Sequence, residues 1–299
     1  MHELIVITLA VPGQTTRQAV LLAASLRRFG GRLAGIPVRL MVPEQRQGFD
    51  ARDRQALADV DVEIVPFAID RDAEAFPFAV KVAAAAVAEA CFAAEAHCLA
   101  WLDCDTLILN EPAGMVLPGG VALGYRPVHH RLIGPGPGHP PGPFWDLVYR
   151  TCGADADAAF PMTTNVGERI GAYFNAGTFV VRPERGLLAA WWAAFHGACR
   201  SAEFVEWCEK DDRYAIFAHQ AIWTGVLLAA LDRAGMQELG PEINYPLHLH
   251  HEIPEALRPR HIDDLTTVRY EDLLSGPGWR GLPFGDDLRA WLEQRLPVA

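Results

Sequence analysis

Asp103 and Asp105 flank Cys104 at the end of the apolar run Cys98 to Leu102, which puts two carboxylates within one side-chain pitch of each other. In an extended chain successive side chains alternate faces, so the two acids are expected to point the same way and Cys104 the other. Like charges held side by side repel, and a divalent cation shared with a polyanionic ligand relieves that repulsion. Oxygen donors of this kind suit magnesium or manganese, with phosphates completing the shell. Asp-x-Asp occurs at 59/61, 70/72, 103/105 and 155/157, so the pattern alone selects nothing. The third copy is singled out by its seat, because it follows a run that reads as a buried strand, and ligands of α/β sheets gather at the carboxyl ends of strands. The other copies read as solvated turn or helix-start carboxylates. Local context leaves a metal-diphosphate site and a structural strand end as alternatives.

The elements that must position this pair follow from periodicity. Leu4 to Leu9 is a continuous apolar run closed by Val11-Pro12-Gly13, a buried first strand ending in a loop. A helix is predicted from about Thr15 to Phe29, capped by Thr15 or Thr16 and stopped by Gly30-Gly31. Strands are predicted at Ile36 to Val42 and Val60 to Phe67, with a partly helical stretch from Gln45 to Asp59 between them, and an Ala-rich helix from about Phe78 to Ala96 leads into the Asp103 strand. Such alternation predicts a largely parallel sheet flanked by helices. No Gly-x-Gly-x-x-Gly and no Gly-x-x-x-x-Gly-Lys-Ser/Thr is present, so neither a dinucleotide fingerprint nor a P-loop holds phosphate.

The Gly- and Pro-rich segment 134–143 cannot be helix or inner strand and reads either as a linker between halves or as a loop near an acceptor site. A helix at Phe144 to Cys152, a strand at Tyr173 to Val181 and helices at about Glu184 to Cys199 and His219 to Leu231 follow. Trp191 and Trp192 read as core and interface residues.

Composition narrows the function classes. The chain of 299 residues is about half apolar, enough for a full core, and its net charge is −11. That balance argues against a nucleic-acid or anionic-membrane surface. The densest basic group, Arg17, Arg27, Arg28 and Arg32, reads as the solvated face of the first helix. The six cysteines form no Cys-x-x-Cys pair and no zinc spacing. No stretch reaches the ~20 apolar residues of a membrane span, and Leu4 to Val11 is too short and wrongly flanked for a signal peptide. A soluble protein of the reducing cytoplasm is expected.

A second chemical segment is Tyr173-Phe174-Asn175-Ala176-Gly177-Thr178, where a small pair lets backbone or ligand approach and Asn175 brings an amide that donates and accepts. Together with Trp101-Leu102-Asp103-Cys104-Asp105-Thr106 and Gln220, it resembles the GT-A fold sugar-nucleotide glycosyltransferases, especially the family-eight group of glycogenin and the lipopolysaccharide galactosyltransferases. The resemblance spans roughly residues 4 to 250. It implies one GT-A domain over 1–299, with a nucleotide-binding half at 1–125 and a sugar and acceptor half at 126–299. It also implies a mixed, mainly parallel sheet flanked by helices. By that resemblance Asp103 and Asp105 take Mn2+ or Mg2+, with Asp103 also near the ribose of the donor. Asn175 and Gly177 face the donor sugar, and Gln220 lies under its anomeric carbon. Lys81 matches a basic position that contacts the donor; its alternative is a snorkelling surface lysine.

Two departures stand out. The family's Asp-Gln pair is here His219-Gln220, which places a histidine in the sugar pocket. The family's metal histidine, in a His-x-x-Gly-x-x-Lys-Pro-Trp context, has no match. Its nearest supply is Leu247-His248-Leu249-His250-His251, where His248 and His250 share a face if the chain is extended. His250 is taken as the third metal ligand. Val268 to Leu274 looks like a sulfotransferase segment, which is set aside because the phosphate loop of those enzymes is missing. The expected function is metal-dependent transfer of a sugar from a nucleoside-diphosphate donor, a UDP-sugar, to a hydroxyl acceptor, with retention or, if a carboxylate or His219 acts as base, inversion. A sugar-nucleotide nucleotidyltransferase and a non-catalytic binding module are the alternatives.

Overall fold

Alternation along two strands sets the layering. In His2–Leu9 and Ala96–Leu102 the residues Ile5, Ile7, Leu99 and Trp101 enter one core, while Leu4, Val6, Cys98, Ala100 and Leu102 enter another. Strands buried on both faces read as unbroken apolar runs and lie between layers of helix. The structure is a computed structural model that describes residues 1–11, 13–46, 48–138 and 142–296. The strands are β1 (His2–Leu9), β2 (Val38–Pro43), β3 (Val62–Phe67), β4 (Ala96–Leu102), β5 (Thr106–Ile108), β6 (Leu123–Pro127), β7 (Met162–Thr163), β8 (Arg169–Ile170), β9 (Phe174–Val181), β10 (Met236–Glu238), β11 (Tyr245–Pro246) and β12 (Thr267–Arg269). The helices are α1 (Gln14–Phe29), α2 (Ala51–Asp59), α3 (Arg71–Glu74), α4 (Ala79–Phe92), α5 (Pro143–Cys152), α6 (Leu187–Ala198), α7 (Ala202–Lys210), α8 (Asp212–Ala230) and α9 (Asp286–Glu293).

The main sheet runs β10-β6-β9-β4-β1-β2-β3. Its strands pair in parallel except around β9, which is antiparallel to both β4 and β6. The edge position of β3 tolerates Pro66. A smaller sheet, β11-β12-β5, carries the carboxy-terminal region back to the end of β4. A third apolar cluster, from Leu21 of α1 through Leu107 and Val268 to Trp279 and Trp291, cements that return.

Several elements depart from the sequence expectations. The helix predicted over Phe78 to Ala96 is the shorter α4: it starts one residue later because Phe78 takes the left-handed region at φ 61°, and it ends at Phe92, where a turn leads into β4 at Ala96. The helix predicted from His219 starts a full two turns earlier, at Asp212, with Asp211 accepting from the Arg213 amide at its start. The charged helix α7 was not anticipated from the sequence. Arg27 is not a solvated side chain. Its guanidinium donates to the carbonyls of Ala34, Ile36, Val60 and Asp61 at 2.6–3.1 Å and so ties α1 to the strands beside it. Of the Val11-Pro12-Gly13 loop and segment 134–143, Pro12 and residues 139–141 lie outside the described residues. No helix among the described residues is long and apolar enough to cross a membrane.

Candidate active site

Register alone brings the two sequence segments together. In the antiparallel β4/β9 pair Leu102 lies opposite Thr178, and the Asp103 amide donates to the Gly177 carbonyl at 2.9 Å. The first residues of β9 therefore lie beside the last of β4. From the other side α8 holds β9: the Thr224 hydroxyl accepts from the Phe174 amide at 3.1 Å and Gln220 Oε1 from the Ala176 amide at 3.0 Å. Asn175 Oδ1 accepts from the amides of Gly177 and Thr178 at 2.7 and 3.2 Å. The oxygens of Asn175 and Gln220 thus shape the backbone, and the Gln220 side chain also meets the buried Tyr173 hydroxyl.

The carboxylates do not sit on an extended strand. β4 ends at Leu102, and residues 103–105 form the turn into β5, so their convergence does not come from strand alternation. It comes from Arg269. Its Nη1 is 2.8 Å from Asp103 Oδ2, and its Nε is 2.8 Å from Asp105. On its other side Asp103 receives the Lys81 ammonium at 2.7 Å and the Trp101 indole N–H at 2.9 Å. Lys81 is 4% exposed, so it is no snorkelling surface lysine, and its Nζ lies between the rings of Phe78 and Trp101, 5.9 Å from each. Burial lowers the Lys81 pKa, and Asp103 opposes that. For Asp103 burial works against the charge, but Lys81 and Arg269 prevail and hold the carboxyl below its ordinary value. For Asp105 burial and the neighbouring Asp103 outweigh Arg269 and push it up.

Arg269 is the functional residue that sequence reasoning missed. It lies in the segment set aside as sulfotransferase-like. The available signal was a charge in a short strand between the buried Val268 and Tyr270, since a buried charge needs a partner. Pairing of β12 with β5 sets Arg269 opposite Thr106, and the Tyr270 amide donates to the Asp105 carbonyl at 3.0 Å. Gly177 completes the arrangement: a Cβ there would collide with Arg269 Nη1 and come within 2.9 Å of Asp103 Oδ2. The space above Gly177, expected to take the donor sugar, holds the guanidinium.

His219 stacks on Phe78 with ring centroids 4.3 Å apart, and its Nδ1 donates to the Ile216 carbonyl at 3.0 Å. Burial and then Lys81 pull its pKa down to about 3, so it is a neutral ring with Nε2 as its lone-pair nitrogen. The histidine run does not behave as one strand face. Leu247–Leu249 is a 3-10 turn, which sends His248 toward the Arg269 carbonyl at 3.4 Å and Glu271 at 3.4 Å. His250 goes instead to the Tyr245 hydroxyl, 2.9 Å from its Nδ1.

By the resemblance Asp103 and Asp105 hold a divalent metal. They do not fit as arranged. Arg269 and Lys81 already engage both carboxylates, and among the described residues no three His, Cys, Asp or Glu side chains gather to hold an ion. His250, expected as third ligand, has its Nδ1 committed to Tyr245. Asp105 Oδ1 is the one oxygen of the pair without an aligned hydrogen bond, a single donor and not a chelate.

The fold and the converging strand ends define a GT-A glycosyltransferase resembling family eight. Two forms of LgtC are similar at 16% identity, covering 99% of this chain and 97% of theirs. An active-site glutamine-to-glutamate variant has a TM-score of 0.53, and a complex with donor and acceptor sugar analogs one of 0.50. The glycosyltransferase GlyE of Streptococcus pneumoniae TIGR4 is similar at 14% identity, over 98% of this chain and 60% of that one, with a TM-score of 0.50. At such identities the likeness concerns the fold. No curated protein sequence matches the chain. A family model described as the Rhodobacterales glycosyltransferase domain matches residues 6–215, and the chain belongs to that family.

Proposed function

We propose that the enzyme moves a sugar from a uridine diphosphate sugar to a hydroxyl acceptor, with retention at the anomeric carbon. The observation that carries this reading is the start of β9, Asn175 to Gly177, held between the Asp103 amide and Gln220, which gathers two carboxylates, two cations and two side-chain amides at one strand end. The donor's diphosphate lies toward the cations, and the amides of Asn175 and Gln220 face the sugar. LgtC, which has the same fold, also has a glutamine in its active site and has been solved with donor and acceptor sugar analogs.

Catalysis in this reading rests on positioning and on stabilising the charge that develops on the leaving diphosphate. Retention is favoured over inversion because inversion needs a base for the acceptor hydroxyl. His219, with a pKa near 3, is a weak proton acceptor at neutral pH. The manganese or magnesium of the sequence expectation enters no step.

Incubation with a panel of nucleoside diphosphate sugars tests the reading. Slow release of UDP from a UDP-hexose is expected, falling on the order of a hundredfold in Gln220→Ala, with the configuration of any transferred sugar read by NMR. Exchange of pyrophosphate into the donor would replace the transferase with a nucleotidyltransferase, and no turnover of any donor would leave a binding module.

A further inference from the structure

We infer that Arg269 takes the place of a divalent cation between Asp103 and Asp105, so that this chain receives the diphosphate of its donor without a metal. The inference rests on the donor reading above for its ligand, but on geometry for the arginine. Four observations converge. One guanidinium contacts both carboxylates at 2.8 Å. Its backbone is fixed by the β5 pairing and by the Tyr270 to Asp105 hydrogen bond. Gly177 lacks a side chain just where Nη1 lies. The third nitrogen, Nη2, has no protein acceptor among the described residues, and the side chain keeps 19% of its surface exposed.

Charge counting favours the same conclusion. Asp103 and Asp105 carry two negative charges, and Lys81 and Arg269 carry two positive ones within 3 Å of them. The repulsion that would recruit an ion is already relieved. An added dication would meet two fixed cations at close range in a buried site, where such repulsion is strong. Arginine is suited to the task, because its planar fork can hold carboxylates through Nε and Nη1 and still present Nη2 to a phosphate oxygen. Burial works against the guanidinium's charge, but Asp103 and Asp105 raise its pKa and keep it charged.

The full-length chain is titrated with Mn2+ alone, followed by electron paramagnetic resonance, and with UDP in EDTA or in Mn2+, followed by calorimetry. The expected results are no Mn2+ site that depends on Asp105, UDP affinities within about twofold in the two conditions, and at least a tenfold loss in Arg269→Met that Arg269→Lys recovers in part. A Mn2+ site in the parent that Asp105→Asn removes would overturn the inference, as would UDP binding that needs Mn2+ or that Arg269→Met leaves intact. The titrations of the parent require no variant to fold. If UDP, GDP, CDP and ADP all fail to bind in either condition while Mn2+ is also refused, the donor reading fails and the arginine keeps its place.

Discussion

The turn at 103–105 and the run at 248–251 both bring metal-ligand residue types together in sequence, and the chain folds them in opposite senses. At the first, a turn between strands, a clamped neighbouring strand and an arginine from 164 residues further on draw the side chains together. At the second, a 3-10 turn drives them apart, His248 toward Arg269 and His250 toward Tyr245. Spacing of residue types says only that a site is chemically affordable. Convergence is decided by the partners that tertiary structure delivers, and here the decisive partner is a cation.

The comparison breaks most readily at Asp103. Asp103→Ala leaves Lys81 buried without its counter-ion and takes one of two carboxylates from Arg269, so a loss of about 3–5 kcal/mol is expected by chemical denaturation. His251→Ala, at an exposed position of the other cluster, should stay within about 0.5 kcal/mol. Equal losses would mean that the ionic cluster contributes no more to the fold than surface residues do.

A second test uses pH. His219 is neutral in the folded chain down to about pH 3, whereas an unfolded histidine takes up its proton near 6.5. Between those values the unfolded state binds the extra proton, so stability is full above 6.5 and falls as the pH drops toward 3. The loss at pH 4.5, relative to neutral pH, is on the order of 2–3 kcal/mol. Asp103 facing the ring favours its protonation, while Lys81 and Arg269 oppose it. His129, His248 and His250 are also held low by burial, so the informative quantity is the difference between parent and His219→Gln. Parallel stability curves from pH 7 to 4 would show that the ring is protonated in the fold.

Much of the architecture was legible because it is local. The Leu4 to Leu9 run, the α1 period and its glycine stop, and the Ala-rich approach to Asp103 each follow from apolar spacing, and all appear within a few residues of expectation. The seat of the Asp-x-Asp pair was legible for the same reason. What escaped depends on pairing between distant segments. Nothing in Phe174 to Val181 announces that it enters the sheet antiparallel between β4 and β6, yet that register puts Gly177 beside Asp103. Nor does Thr267 to Arg269 reveal that β5 will be its partner. Arg269 therefore looked like part of an unrelated motif, and the guanidinium that lies against Gly177 could not be foreseen.

The smallest expected effect sharpens the other half of the comparison. Tyr245 and His250 are both buried, and the tyrosine hydroxyl, with a pKa pushed up to about 12, stays protonated and shares a hydrogen bond with Nδ1 of the ring. Tyr245→Phe deletes that partner and leaves Nδ1 unsatisfied, so a loss of about 1–2 kcal/mol is expected in a denaturant melt. UDP affinity should not change, because the pair is turned toward His251 and Arg258 and not toward Asp105. A weakened UDP interaction, or a Mn2+ response that appears once Nδ1 is released, would tie His250 to the strand end after all. In that case His250 would join His248, which already lies against Arg269, at one site from which a single hydroxyl holds it back.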